Sequence, residues 1–155
     1  MYSNNQWHDF WNGQLYNEGN EYSGITGGWL LTQGHSSYRL ASEYSFKDEN
    51  CLRYHIVGST SAAFITEKPI DISKFSTLNI NCLNGSNGTS PRIGLMNTKF
   101  SNDFYTNMPY YKSLVNSGTV SLDVSAVQGK YYVCVADYSS GSTVYIVNIP
   151  KIWLE

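Results

Sequence analysis

The sequence predicts an all-β domain, a two-sheet antiparallel β-sandwich of the jelly-roll type, and three observations predict it. Apolar and polar residues alternate with a period of two along most of the chain, the mark of strands with one face in a core and one in water. Helical periodicity is nearly absent. Gly, Asn, Ser and Pro cut the alternation into roughly eight to ten short runs, a spacing that belongs to sandwiches and barrels. With 155 residues the chain is long enough for one sizeable core and short for two.

Residues 1–13 are expected to form an N-terminal aromatic strap or linker and residues 14–155 a single sandwich domain. In the strap, Trp7, Phe10 and Trp11 stand at i, i+3 and i+4 before Gly13, which predicts one helical turn. Trp7 and Trp11 are either a strap that fixes the domain to a parent chain or a stacking platform. Met1 and the final Leu154-Glu155, read as a cloning scar, suit a domain cut from a longer polypeptide. Trp29, after Gly27-Gly28, opens an apolar run and is expected in the core. Leu52, Tyr54 and Ile56 alternate with Arg53 and His55; Leu78, Ile80 and Cys82 alternate with Asn79 and Asn81. Asn84 to Gly88 supplies a turn where positive φ is tolerated. Ile93 and Leu95 open a short strand after Pro91. Val120, Leu122 and Val124 alternate with Ser121, Asp123 and Ser125, and Tyr131 to Ala136 follows the turn at Gln128-Gly129. In the last hairpin, Pro150 cannot donate to a ladder and predicts an edge or a break before Lys151 to Leu154.

Ile70-Asp71-Ile72-Ser73 and Leu122-Asp123-Val124-Ser125 repeat one pattern, and a Cys follows each Asp at the same interval, Cys82 and Cys134. Asp and Ser at the end of a strand hydrogen-bond local backbone amides. The two copies therefore read as equivalent corners where the chain passes between sheets. The stretch from Asn97 to Gly118 breaks the strand rhythm and reads as a long loop rich in Phe and Tyr, of the kind that is functional or mobile.

Composition narrows the partners. Charged residues make up 14% and the formal net charge is -2, which lacks the basic footprint that phosphate backbones require, so nucleic acid is not expected. No apolar run approaches the roughly 20 residues of a membrane span, and Met1 to Gln6 has no signal-peptide character, so a soluble chain without a membrane partner is expected. Cys51, Cys82 and Cys134 are too few for a disulfide framework and lack the Cys/His spacing of a zinc site; they read as buried thiols.

An enzyme is not expected. His8, His35 and His55 are isolated, and no nucleophile elbow, His-Glu-x-x-His helix or phosphate loop is present. Asp71 with Asp123, or Glu43 with Glu67, would be the pairs for glycoside hydrolysis, but no spacing unites them. No acidic run of the EF-hand kind appears, and spacing leaves open a structural calcium held by carbonyls and scattered carboxylates. Sugars are gripped by flat aromatic faces flanked by amides, carboxylates or Arg. The long loop supplies that chemistry in Asp103, Tyr105, Asn107, Tyr110 and Tyr111, with Arg92 as polar partner. The same tyrosines could instead pack the loop down or form a subunit contact.

The stretch Lys68 to Leu78, with Val120 to Ser125 and Gly129 to Val133, resembles jelly-roll domains of tail and minor structural proteins from phages and prophages of Gram-positive bacteria. Leu15 to Asn20 and Gly27-Gly28-Trp29 suit the same family. The resemblance implies a galactose-binding-like sandwich similar to carbohydrate-binding modules. It also implies a place on a virion or extracellular surface. The implied partner is a bacterial surface polysaccharide or a neighbouring tail protein, with a homo-oligomer as one form of the latter. Structural packing within the virion is the alternative role, and a glycan-cleaving enzyme the third.

Overall fold

A computed structural model describes residues 11–32, 46–47, 50–56, 60–83, 90–101, 103–139 and 145–155. In chain order the described elements are β1 (Gln14–Asn17), α1 (Ser23–Thr26), β2 (Trp29–Thr32), β3 (Phe46–Lys47), β4 (Leu52–Ile56), β5 (Thr60–Thr66), β6 (Ile70–Asp71) and β7 (Thr77–Leu83), then β8 (Arg92–Met96), α2 (Phe104–Asn107), β9 (Tyr110–Ser113), β10 (Ser117–Asp123), β11 (Lys130–Ser139) and β12 (Tyr145–Leu154). The first sheet runs β10-β7-β12-β4-β3 and the second β2-β5-β11-β8-β9. β1 also pairs with β12, and β6 with β11. All described pairings are antiparallel. Because successive strands repeatedly cross between sheets, the chain is an all-β jelly-roll sandwich.

Alternation does what it predicts. Leu78, Ile80 and Cys82 from the first sheet meet Phe64, Ile93, Leu95, Val133 and Val135 from the second in one core, together with Trp29. Trp29 is 1% exposed and its Nε1 donates to the Leu15 carbonyl at 3.0 Å, so the indole crosses the core with its polar atom satisfied. Among the described residues the cysteines form no disulfide and are buried. Burial pushes the Cys134 thiol far up, which leaves it a small apolar filler.

The two predicted corners are present and interlock. Ser73 N donates to Asp71 Oδ1 at 3.0 Å, and Ser125 N donates to Asp123 Oδ1 at 2.9 Å. Ile72 and Val124 are fully buried beneath them. The corners also exchange bonds: Ile72 N donates to Gly129 O, Gly129 N to Ser73 Oγ, and Val124 N to Ser76 O.

Two expectations need correction. Pro150 marks neither an edge nor a break, because β12 runs through it in mid-sheet between β7 and the β1/β4 pair. The register against β7 shifts between Asn148 and Lys151, and this irregularity absorbs the missing donor. The stretch 97–118 is also not one loop, since α2, β9 and the start of β10 lie inside it. As for the chain ends, residues 1–10 lie outside the described residues. Trp11 stacks edge-on against Phe75, and Leu154 is buried in β12.

Candidate functional site

The outer side of the second sheet is where the predicted residues gather. Side chains that point away from the sandwich core on β5, β8 and β11, namely Ala63, Ile65, Met96, Cys134 and Ala136, form a second apolar patch. Phe104 and Met108 close over it, 1% and 4% exposed. Gly94 makes this approach possible: a Cβ there would sit 2.8 Å from Met108 Sδ and 2.2 Å from the Tyr110 carbonyl oxygen.

Arg92 shares this outer side. Its Cζ lies 3.9 Å from the ring centroid of Tyr105 and 4.1 Å from that of Tyr111, so the guanidinium is clamped between two rings. Nη1 donates to the Tyr105 carbonyl at 2.8 Å, while Nε is buried with no hydrogen-bond partner among the described residues. Each ring contact stabilises by about 0.5–2 kcal/mol, rising with desolvation. Tyr111 can reach Arg92 because it stands opposite Gly94 in the β8–β9 ladder. Burial raises the Tyr105 phenol above its ordinary range, with the Arg92 charge pulling the other way.

The remaining predicted residues do other work. Asp103 caps α2, its Oδ1 accepting from Thr106 N at 3.0 Å, and so aims Tyr105 at Arg92. Asn107 Nδ2 donates to Ser101 Oγ at 3.2 Å, which tightens the same turn. Tyr110 does not join the cluster. As the neighbour of Tyr111 on one strand it faces the opposite way, where its ring meets Tyr131 edge-on at 5.9 Å. The structure thus unites Arg92, Tyr105 and Tyr111, uses Asp103 and Asn107 to shape the support, and separates Tyr110. Tyr138 belongs to the cluster and escaped the sequence reading, with its ring 6.3 Å from that of Tyr105. Extending the Cys134-Ala136 alternation by one step would have found it.

Other candidate groups have structural partners. Serine hydrogen bonds hold the Asp71 and Asp123 carboxyls below their usual range: the backbone N–H of Ser73 acts chiefly on Asp71, and the Ser125 hydroxyl on Asp123. Glu67 pairs with Lys99. Glu43, His8 and His35 lie outside the described residues. Among the described residues no cluster of three His, Cys, Asp or Glu is placed to hold a metal ion, and no helix is long and apolar enough to cross a membrane.

No family model matches this chain, and no curated protein matches it. Solved structures do. The glycoside hydrolase domain of Endo-D from Streptococcus pneumoniae R6 matches 83% of this chain with a TM-score of 0.56 and 20% identity; this chain spans 22% of that one. TmCBM61, solved in complex with β-1,4-galactotriose, matches 92% of this chain and 97% of its own, with a TM-score of 0.51 and 9% identity. At such identities the likeness is one of fold, an antiparallel β-sandwich.

Proposed function

We propose that the domain is a non-catalytic carbohydrate-binding module that grips a bacterial surface glycan at the Arg92 clamp, as part of a phage or prophage tail protein. The observation that carries this reading is the guanidinium fixed between Tyr105 and Tyr111 on the outer side of the second sheet. The clamp suits a sugar for a physical reason. An Arg already held between rings has little rotamer freedom left to lose, and the Tyr111 ring beside it is 45% exposed. A pyranose would lay its C–H face on that ring while hydroxyls pair with the guanidinium edge. Likeness in fold to a galactotriose-binding module supports the ligand class, and the sequence resemblance supports the virion setting. Repetition of the domain on a symmetric particle would raise weak single-site binding.

Tyr111→Ala should lower binding to host cell walls by roughly tenfold or more, because ring contacts of this kind are worth about 1 kcal/mol or more each. Its melting temperature should fall by no more than a few degrees, the loss of one ring contact. Tyr110→Ala, on the opposite face, is the control and should bind normally. Unaltered wall binding by Tyr111→Ala would dismiss the clamp as the site.

A second reading, structural packing against a neighbouring protein, is favoured by Phe100, which is 77% exposed beside the same turn. Light scattering that finds an oligomer dispersed by Phe100→Ser would support it.

A further inference from the structure

The structure points to a second ligand site, separate from the Arg92 clamp. We infer that the cleft between Trp11 and the β1–β2 connection binds one small uncharged sugar, a mono- or disaccharide. The cleft has a volume of about 420 Å³ and is lined by Trp11, Asn12, Asn20, Tyr22 and the start of α1. That volume lies in the lower part of the range of small-molecule pockets. Among the described residues none that lines the cleft carries a charge, which suits an uncharged ligand.

The polar groups are set in advance. Asn12 Oδ1 accepts from Gln14 N at 3.3 Å and Asn20 Oδ1 from Tyr22 N at 2.9 Å. With both oxygens engaged, the two side-chain NH2 groups are left as donors, and neither has a hydrogen-bond partner among the described residues. Trp11 is oriented too, its Nε1 donating to the Gln14 carbonyl at 2.7 Å and its ring edge-on to Phe75 at 5.5 Å. Two aromatic residues beside two amide donors match a ring with one apolar face and a rim of hydroxyl oxygens.

The backbone is strained where the cleft is built. Among the described residues only Glu18 (φ 45°) and Tyr22 (φ 49°) are non-glycine residues with positive φ, and both lie in this connection. Three bonds hold the strain in place. Thr26, fully buried, donates its hydroxyl to the Glu21 carbonyl at 2.7 Å and accepts from Gly28 N, while Glu21 Oε1 accepts from Trp29 N at 2.8 Å. A glycine at position 22 would remove the strain, yet a tyrosine that lines the cleft stands there.

The cleft lies at the end of the sandwich marked by the corners, since Glu67 N and Lys68 N bond to Gly28 O and Thr26 O just before β6. Arg92 pairs with Ala136, further along β11 and away from that end. One experiment therefore separates the two sites. Amide and indole resonances of the ¹⁵N-labelled protein are followed during titration with methyl glycosides of galactose, glucose and N-acetylglucosamine. At least one glycoside should shift the Trp11 indole and the Asn12 and Asn20 side-chain signals saturably.

Asn20→Asp keeps the oxygen that accepts from Tyr22 N and removes the donor, and should weaken that binding by roughly tenfold. Tyr22→Gly should abolish it while raising the melting temperature, because glycine adopts positive φ without strain. Absence of saturable shifts at the cleft with all three glycosides overturns the inference, as does equal affinity in both variants. Shifts confined to Tyr105 and Tyr111 would refute the cleft and leave the clamp standing.

Discussion

The two outer faces of the sandwich differ in what covers them. On the second sheet, five small or apolar side chains lie under Phe104 and Met108, and a one-turn helix is anchored there. On the first sheet the outward positions of β7 and β10 are mostly polar, Leu83 apart, and bond to one another in rows: Ser121 Oγ donates to Asn79 Oδ1 at 2.6 Å, Asn79 Nδ2 to Thr77 Oγ1 at 3.0 Å, and Asn81 Nδ2 to Thr119 Oγ1 at 3.3 Å. Lys151 lies over the half-buried Trp153 on the same sheet. One face is thus a small hydrophobic core that fixes an aromatic clamp, and the other a hydrated surface. The difference teaches that the same period-two alternation can specify a covered or an open face, depending on whether the outward residues are apolar.

The largest effect should come from uncovering the closed face. Phe104→Ala removes the side chain that seals the second patch and should cost about 3–5 kcal/mol in urea unfolding. Wall binding should fall with it, because α2 carries Tyr105. An intermediate effect belongs to the layer between the sheets, where Tyr54 from β4 donates to Asp137 from β11 at 2.7 Å, both fully buried. Tyr54→Phe takes one donor from a buried carboxylate and should cost about 1–3 kcal/mol.

Burial, and then the Asp137 charge, raise the Tyr54 phenol well above its usual value of 10.0. A raised folded value means the contribution is fully present below the unfolded value and lost as pH rises through the folded one. The gap between wild type and Tyr54→Phe should therefore narrow in unfolding curves recorded above pH 10.0. The smallest effect is expected on the open face. Thr119→Ala should change stability by no more than about 0.5 kcal/mol. A cost for Thr119→Ala comparable to that of Phe104→Ala would erase the distinction between the faces.

Much of this architecture was legible in the residues. Repeated Asp-apolar-Ser placed both corners, because an Asp that caps its own turn needs only local sequence. Trp29 behind a glycine pair was legible as core for a similar reason. Pro150 misled because its tolerance depends on a register shift against a strand nearly 70 positions earlier in sequence, near Asn81. Likewise, Tyr110 and Tyr111 looked like a pair until a strand beneath them sent one ring to each side. Asp103 misled, read as a ligand group because a carboxylate on a loop suits a ligand as well as a cap, and only the start of α2 three residues before Thr106 makes it a cap. The cover formed by Phe104 and Met108 could not be read locally at all. It depends on Gly94 leaving room on a neighbouring strand, a contact between segments that share no pattern.

A last consequence follows from the way β1 lies on β12. Gln14 stands opposite Trp153, and Leu154 N donates to the Gly13 carbonyl at 2.8 Å, so the first and last described strands start and finish side by side. Tension applied at these two points would pull along the rungs, not across them, and would open the pair one bond at a time from its outer end. A tether attached there would give way by peeling, at low force, and the neighbouring corner, whose Ser76 and Thr77 N–H groups bond the Glu155 carbonyl, would share the load.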